Sequence, residues 1–189
     1  MRLLTALALA AVAVAAAPQS VPPHSIDTLH SKMTVLVYKQ GLFSFLADNH
    51  IVDVPIERGS FDPERRTVDL TIDAAKMRVL DPRLSPDKRN TVQANMLGPQ
   101  VLDVAKYPAI TFQSTTIDEH GNGEWTVTGN LQLHGQTHSI TLQVQSGVAG
   151  HFTGSAMLRQ TAYGITPIKI AVGAVSVKDE VRVEFDIAV

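Results

Sequence analysis

Three segments near the middle of the chain alternate apolar and polar residues, which predicts a meander of antiparallel strands. The segments are 110–114, 125–133 and 140–144. The residues between them, His-Gly-Asn-Gly at 120–123 and His-Gly-Gln-Thr at 134–137, are typical of tight turns. Because successive side chains of a strand point to opposite faces, each segment has one buried face and one exposed face.

Five more segments show strand patterns, which brings the predicted number of strands to eight: 32–39, 50–57, 67–73, 151–159 and 181–187. Pro55 cannot donate a ladder hydrogen bond, so we expect it at a sheet edge or a bulge. Eight antiparallel strands can close into a barrel with room for one small ligand. The pattern alone fits a two-sheet sandwich with a solid core equally well.

Helix signals interrupt the strand pattern between the third and fourth predicted strands. Ser85 suits the N-cap, Pro86 suits the first helical position, and Asp87 suits the positive end of the helix dipole. We expect a helix from Pro86 to about Leu97, ended by Gly98, and a second short helix over 99–105. The predicted fold class is therefore mainly all-β, an eight-stranded antiparallel barrel with a helical insertion.

The composition and the first residues predict the compartment. Residues 1–17 contain one arginine, an apolar run and a small-residue end, as in a secretory signal peptide, and 18–24 form a proline-rich linker before the domain at 25–189. The chain contains no cysteine, which excludes disulfides and thiolate metal sites. A net charge of -2 gives no basic surface for nucleic acid. We expect an exported, periplasmic protein.

Short motifs keep a common order along most of the chain. They are Ile-Asp at 26–27, His-Ser at 30–31, YPAITFQS at 107–114, GNLQLHGQT at 129–137, and Arg159 followed by Tyr-Gly-Ile at 163–165. Together they resemble the YceI-like, polyisoprenoid-binding family over roughly residues 25–189, with Tyr163 in place of the family's phenylalanine. The resemblance implies a lipocalin-like barrel, a hydrophobic cavity for a long-chain lipid, and export to the periplasm.

Two segments depart from that family's pattern. One branch carries His-Asp-His after a Gly-Leu-Phe-Ser motif, where this chain has Asp-Asn-His at 48–50. Gln-Thr-Ala at 160–162 replaces the usual Ser-Asp pair after the arginine. The resemblance therefore does not by itself imply, for this chain, site chemistry that depends on those groups.

The apolar residues that alternation places inside are the candidate ligand contacts, and each could equally serve core packing. Arg159 and Tyr163 are the candidates for the polar end of a ligand, because a guanidinium can pair with a phosphate or carboxylate. Arg159 could instead be a surface residue that balances Glu184 or Asp186. The complete candidate set is Val35, Val37, Phe43, Phe45, Val68, Leu70, Ile72, Ile110, Phe112, Val127, Leu131, Leu133, Leu158, Arg159 and Tyr163.

The histidines invite two further interpretations. His134 and His138 are four residues apart, but they span a predicted turn, so we favour a polar hairpin tip over a metal site. Asp48, His50 and Asp53 form a second cluster, in which a carboxylate could orient the His50 imidazole for acid–base chemistry. A polar latch at the barrel mouth fits this cluster better. The sequence carries no nucleophile elbow, phosphate loop or zinc-protease helix.

The predicted function is non-covalent binding or carriage of a polyisoprenoid or other long-chain amphiphile. We expect no catalysis, no cofactor, no metal and no membrane insertion, and the sequence leaves a homodimer open. Two alternatives remain at this stage. One is a His50-dependent enzyme or electron-transfer accessory that acts on a quinone-like ligand. The other is a ligand-free structural or stress-response module with a filled core.

Overall fold

One curled antiparallel sheet forms most of the computed structural model, which describes residues 22–41, 49–170 and 175–189. Hydrogen-bonded neighbours follow the order β1-β4-β5-β7-β8-β9-β10-β12-β2-β3-β6, and β11 pairs with β12. The strands are β1 (His24–Ser25), β2 (Asp27–Gln40), β3 (His50–Asp53), β4 (Ile56–Asp62), β5 (Thr67–Asp73), β6 (Arg78–Val79), β7 (Ala109–Gly121), β8 (Glu124–Leu133), β9 (Gln136–Ser146), β10 (His151–Arg159), β11 (Lys169–Ile170) and β12 (Val175–Ala188).

The mainly all-β antiparallel prediction is confirmed, but the predicted number of eight strands is wrong. The described residues form twelve strands. The predicted second strand divides at Pro55 into β3 and β4, because proline cannot donate a ladder hydrogen bond. The other additions, β1, β6 and β11, contain two residues each, which is too short for an alternating pattern to show.

The sheet curls into a half-barrel, and backbone hydrogen bonds connect the strands near its two edges. β1 pairs with β4, and β2, which follows β1 directly, pairs with β3. Between these pairs, the Ile26 N–H donates to the Gly59 carbonyl at 3.0 Å and the Val54 N–H donates to the Met33 carbonyl at 2.9 Å. A single curved sheet with an enclosed interior excludes the solid two-sheet sandwich.

The helical insertion lies where the sequence places it. Helix α1 spans Pro86–Leu97, and the Ser85 hydroxyl accepts the Lys88 N–H. The expected second helix is wrong, since residues 99–106 form turns. Backbone N–H groups of this segment donate to carbonyls near the C-terminal end of α1, for example from Leu102 to Met96 at 3.0 Å, instead of continuing a helical ladder.

The half-barrel has two distinct ends. The mouth is the end that carries α1, the β8–β9 turn and the short 3-10 helix Gln160–Tyr163. The far end carries the β4–β5, β7–β8 and β9–β10 connections, and the rings of Phe61 and Phe152 approach there with centroids 6.3 Å apart. β4 and β10 are not neighbours in the sheet, so these two rings meet across the interior.

Both predicted hairpin turns are present. Gly121, Asn122 and Gly123 at the far end all have positive φ, and so do His134 and Gly135 at the mouth. The predicted signal peptide, 1–17, lies outside the described residues, as does most of the predicted linker.

Candidate ligand cavity

An apolar cavity of about 270 Å³ runs through the interior from the mouth to the far end. Gln160 is the single polar residue among the described residues that line it, apart from the indole N–H of Trp125. The inward faces of the strands from β2 to β12 supply most of the wall, and Met96 of α1 contributes at the mouth. Such a lining offers almost no hydrogen bonds, so it suits a ligand that is itself apolar.

Eleven of the fifteen candidate ligand contacts line this cavity. The strand registers bring them side by side: Leu70 pairs with Phe112, and Phe112 pairs with Leu131. Contact with a ligand stays a prediction for all of them. The eleven are Val35, Val37, Val68, Leu70, Ile72, Ile110, Phe112, Val127, Leu131, Leu133 and Leu158.

The other four candidates do not line the described cavity. Phe43 and Phe45 lie outside the described residues. Arg159 is exposed, and its Nη2 lies 3.5 Å from Glu180 Oε1, so it is a surface residue paired with a different carboxylate from the two considered above. Tyr163 is buried in the core beside the mouth.

Tyr163 anchors the 3-10 helix to the β8–β9 turn. Its carbonyl accepts the Nδ1–H of His134 at 3.0 Å, and the ring of His138 packs edge-on with centroids 5.1 Å apart. Its hydroxyl is buried without a hydrogen-bond partner among the described residues, and burial raises the pKa of Tyr163. His134 and His138 therefore serve packing and hydrogen bonding here. The described parts of the chain contain no group of three or more His, Asp or Glu placed to hold a metal ion.

His50 pairs with a residue that sequence reasoning missed. Its Nδ1 lies 2.5 Å from Oδ2 of Asp81, a buried carboxylate whose Oδ1 accepts the Ile51 N–H at 2.8 Å. Of the partners expected from the sequence, Asp48 lies outside the described residues and Asp53 is not bonded to the ring. The two bonds of Asp81 fasten the start of β3 to the segment after β6, which is the arrangement of a polar latch.

Sequence reasoning also left several lining residues out of the candidate set. Trp125, Ile140, Leu142 and Val144 all face the cavity from β8 and β9. Their signal was present, since each occupies the apolar position of an alternating segment. Trp125 is the only tryptophan in the chain, and its neighbourhood near the β7–β8 turn places it towards the far end.

A sequence model of the YceI-like domain matches residues 24–189. The chain belongs to the YceI-like family. This YceI-like chain is 30% identical over 126 residues to a UPF0312 protein of Shewanella sp. strain ANA-3, a match that covers 61% of this chain and 62% of that protein. A UPF0312 protein of Shewanella oneidensis is 29% identical over 140 residues, with 69% and 66% covered. The chain thus spans about six tenths of the ANA-3 protein's length in that match.

Solved structures share the fold of this YceI-like chain. BcnA of Burkholderia cenocepacia superposes with a TM-score of 0.62 at 22% identity, covering 86% of this chain and 98% of that one. A polyisoprenoid binding domain from Saccharophagus degradans gives a TM-score of 0.57 at 14% identity, covering 86% and 95%. Within the described residues, no helix has the length and apolar character that crossing a membrane requires.

Proposed function

We propose that this YceI-like chain binds the apolar tail of a polyisoprenoid or similar long-chain amphiphile in its interior cavity. The observation that carries the proposal is the continuous apolar lining from the mouth to the Phe61–Phe152 contact. The name of the Saccharophagus degradans domain, which shares the fold, supports the same ligand class. Binding is non-covalent, and no catalytic step is part of the proposal.

The shape of the cavity favours a chain over a compact molecule. On β8 the lining extends from Trp125 to Leu133, a span of about 27 Å at the usual rise per residue of an antiparallel strand. Each buried methylene-sized group contributes about 0.8 kcal/mol, so a tail of about ten groups offsets most of the entropy lost on association. The wall has few directional contacts, and we therefore expect tolerance among tails of similar length.

Trp125 provides a direct test of occupancy. A long-chain lipid with a nitroxide on its tail should quench the fluorescence of this single tryptophan in a saturable way. An unlabelled lipid of the same tail should restore the fluorescence by competition. Absence of saturable quenching by labelled acyl and prenyl chains would overturn the proposal.

A matched pair of variants separates the interior from the surface. Ala156 faces the cavity on β10, and its neighbour Met157 is exposed on the opposite face of the sheet. Ala156→Phe should fill cavity volume and weaken lipid binding at least about tenfold, because apolar contact area is lost to the new ring. Met157→Phe should leave binding unchanged. Equal affinities in the two variants, with circular dichroism showing both folded, would contradict an interior site.

Export belongs to the proposal as well. The apolar stretch at 1–17 supports removal of a signal peptide and a periplasmic location. Fractionation of a Gram-negative host, with N-terminal sequencing of the product, tests this. Recovery of an uncleaved chain from the cytoplasm would contradict it.

A further inference from the structure

His50 stands at the rim of the cavity, on its inner face. It pairs with Val37 of β2, and the next pair of these two strands on the same face is Val35 with Val52. His50 and Val52 are two residues apart on β3, so their side chains point to the same face of the sheet. Val35, Val37 and Val52 all line the cavity. His50 is therefore the first polar side chain beyond the apolar wall on this side of the mouth.

Asp81 fixes the orientation of that imidazole. An ionised carboxylate only accepts hydrogen bonds, so the 2.5 Å contact with Oδ2 makes Nδ1 the donor. The second oxygen of Asp81 is held by the Ile51 N–H at 2.8 Å, which leaves the carboxylate little freedom to move. The polar atom of the ring that remains for a ligand is Nε2, which accepts a hydrogen bond when the ring is neutral and donates one when it is charged.

A second pocket, of about 410 Å³, lies where the ends of β2 and β3 meet residues 81–84. Val37 lines both spaces, which makes them neighbours. The wall of this pocket contains His50, Asp81 and Arg83, whereas the cavity wall contains no charged residue. Arg83 is exposed, and within the described parts of the chain it forms no ion pair. An apolar cavity beside a pocket that holds an arginine and a hydrogen-bonding imidazole matches the two parts of an amphiphile.

We propose that His50 Nε2 and the Arg83 guanidinium form a head-group subsite for an anionic oxygen head group, a phosphate or a carboxylate. This inference rests on the proposed function, because the tail of the same ligand occupies the apolar cavity. Arginine suits the role because its planar fork of donors matches both anions. Asp81 is a positioning residue that acts through His50. Arg159, the sequence-based candidate for this role, lies on the outer face, paired with Glu180.

Ligand pairs that share a tail and differ in head group test the subsite. Geranylgeranyl phosphate is compared with geranylgeraniol, and palmitate with hexadecanol, by competition against a nitroxide-labelled lipid that quenches Trp125. The wild-type chain should prefer the anion of at least one pair by about tenfold, the usual scale of one hydrogen bond to a charged group. A preference in the phosphate pair alone identifies a prenyl-phosphate type of ligand, and one in the carboxylate pair alone identifies a fatty-acid type.

Variants assign the preference to these two side chains. His50→Gln and Arg83→Gln should each remove most of the preference for the anion and leave the affinity for the alcohol unchanged. The matched controls are His120→Gln and Arg65→Gln, both at the far end, and they should retain the wild-type preference. Because Arg83 is exposed and outside the latch, its variant keeps the test valid if His50→Gln folds poorly.

Ligand orientation gives a readout that needs no variant. With the head group at the mouth, a nitroxide at the far end of a palmitate tail should quench Trp125 more strongly than one beside the carboxylate. Equal affinity for anion and alcohol in both pairs, or an unchanged preference in Arg83→Gln, would overturn the subsite while leaving tail binding intact. Failure of every amphiphile to bind would instead overturn the proposed function.

Discussion

The mouth and the far end of the half-barrel each hold His–Asp pairs of nearly equal length, but these pairs differ in burial. At the mouth, His50 and Asp81 approach to 2.5 Å, with 24% and 3% of their side chains exposed. At the far end, His151 and Asp186 approach to 2.6 Å with 35% and 42% exposed. Distance alone would rank the two pairs as equivalent.

Burial decides what each pair contributes to stability. Exposed ion pairs are screened by water, and their contributions are typically between zero and about 1 kcal/mol. A buried carboxylate has lost its water, so its protein partners are obligatory, and their removal leaves a polar group unsatisfied. We therefore expect the far-end pair to contribute little to stability and Asp81 to contribute much more.

Removal of Asp81 should give the largest difference between the two ends. Asp81→Ala leaves the Ile51 N–H and the His50 ring without their acceptor, and we expect a loss of about 3 kcal/mol in the free energy of unfolding. Asp186→Ala, at the far end, should cost about 1 kcal/mol or less. Urea unfolding followed by circular dichroism measures both. Similar losses in the two variants would show that burial does not separate the pairs.

The two hairpin turns offer a second comparison between the ends. Gly121 at the far end has φ 85° and Gly135 at the mouth has φ 75°. A Cβ on Gly121 would meet no atom within 4 Å, whereas one on Gly135 would lie 2.6 Å from the Tyr107 ring. Gly135 in the mouth turn is thus packed under a side chain from the segment after α1, whereas Gly121 in the far-end turn has open space at its Cβ position.

Alanine at each glycine should separate backbone strain from packing. Both substitutions force an L-residue into the left-handed region, at a cost of about 1 kcal/mol each. Gly135→Ala also displaces the Tyr107 ring, so we expect a total of about 2 kcal/mol. Thermal unfolding of both variants provides the comparison. Equal shifts would mean that the ring moves aside freely and that the mouth turn is no more constrained than the far-end turn.

The wall of the cavity could be predicted from the sequence because it depends on local periodicity. Alternation places Val68, Leu70 and Ile72 on one face of β5, and the structure lines the cavity with that face. The start of α1 could be predicted for the same reason, because it depends on Ser85 and Pro86, which are adjacent in the sequence. The same rule would have placed Arg159 outside, because it follows the inward-facing Leu158. The chemistry of its guanidinium, rather than the pattern, suggested Arg159 as a ligand contact.

The chemistry of the mouth could not be predicted in this way. Asp81 lies 31 residues from His50, and neither periodicity nor a motif links the two. Their contact depends on the pairing of β3 with β6, a strand of two residues. Sequence patterns therefore predict the apolar part of the site, and the tertiary fold determines its polar part.

Acid titration tests the smallest expected difference between the mouth and the far end, which concerns one carboxylate at each end. Asp179 accepts the Thr161 N–H and the Thr161 hydroxyl, both at 2.8 Å, and these bonds lower the pKa of Asp179. At the far end, the pKa of Asp27 is lowered by the side-chain hydrogen bond from His30. Asp27 is exposed and Asp179 is only partly buried, so each effect is small. The Asp179 carboxylate joins the 3-10 helix to β12, whereas the Asp27 carboxylate bonds Leu29 and His30 within its own short segment.

The lowered pKa of each group determines how its contribution to stability changes with pH. A carboxyl whose folded-state pKa is below its unfolded value stabilises the fold above the unfolded value, about 3.9 for Asp, and loses that contribution as the pH falls through the folded pKa. Acidification below about pH 4 should therefore weaken the protection of the Thr161 amide against hydrogen exchange by a few-fold. Asp179→Asn should show the weaker protection already at neutral pH, and Asp27→Asn should leave Thr161 unaffected. If the Thr161 amide were equally protected in the wild-type chain and in Asp179→Asn at neutral pH, the prediction would be wrong. The mouth would then be held by packing around Tyr163 rather than by this carboxylate.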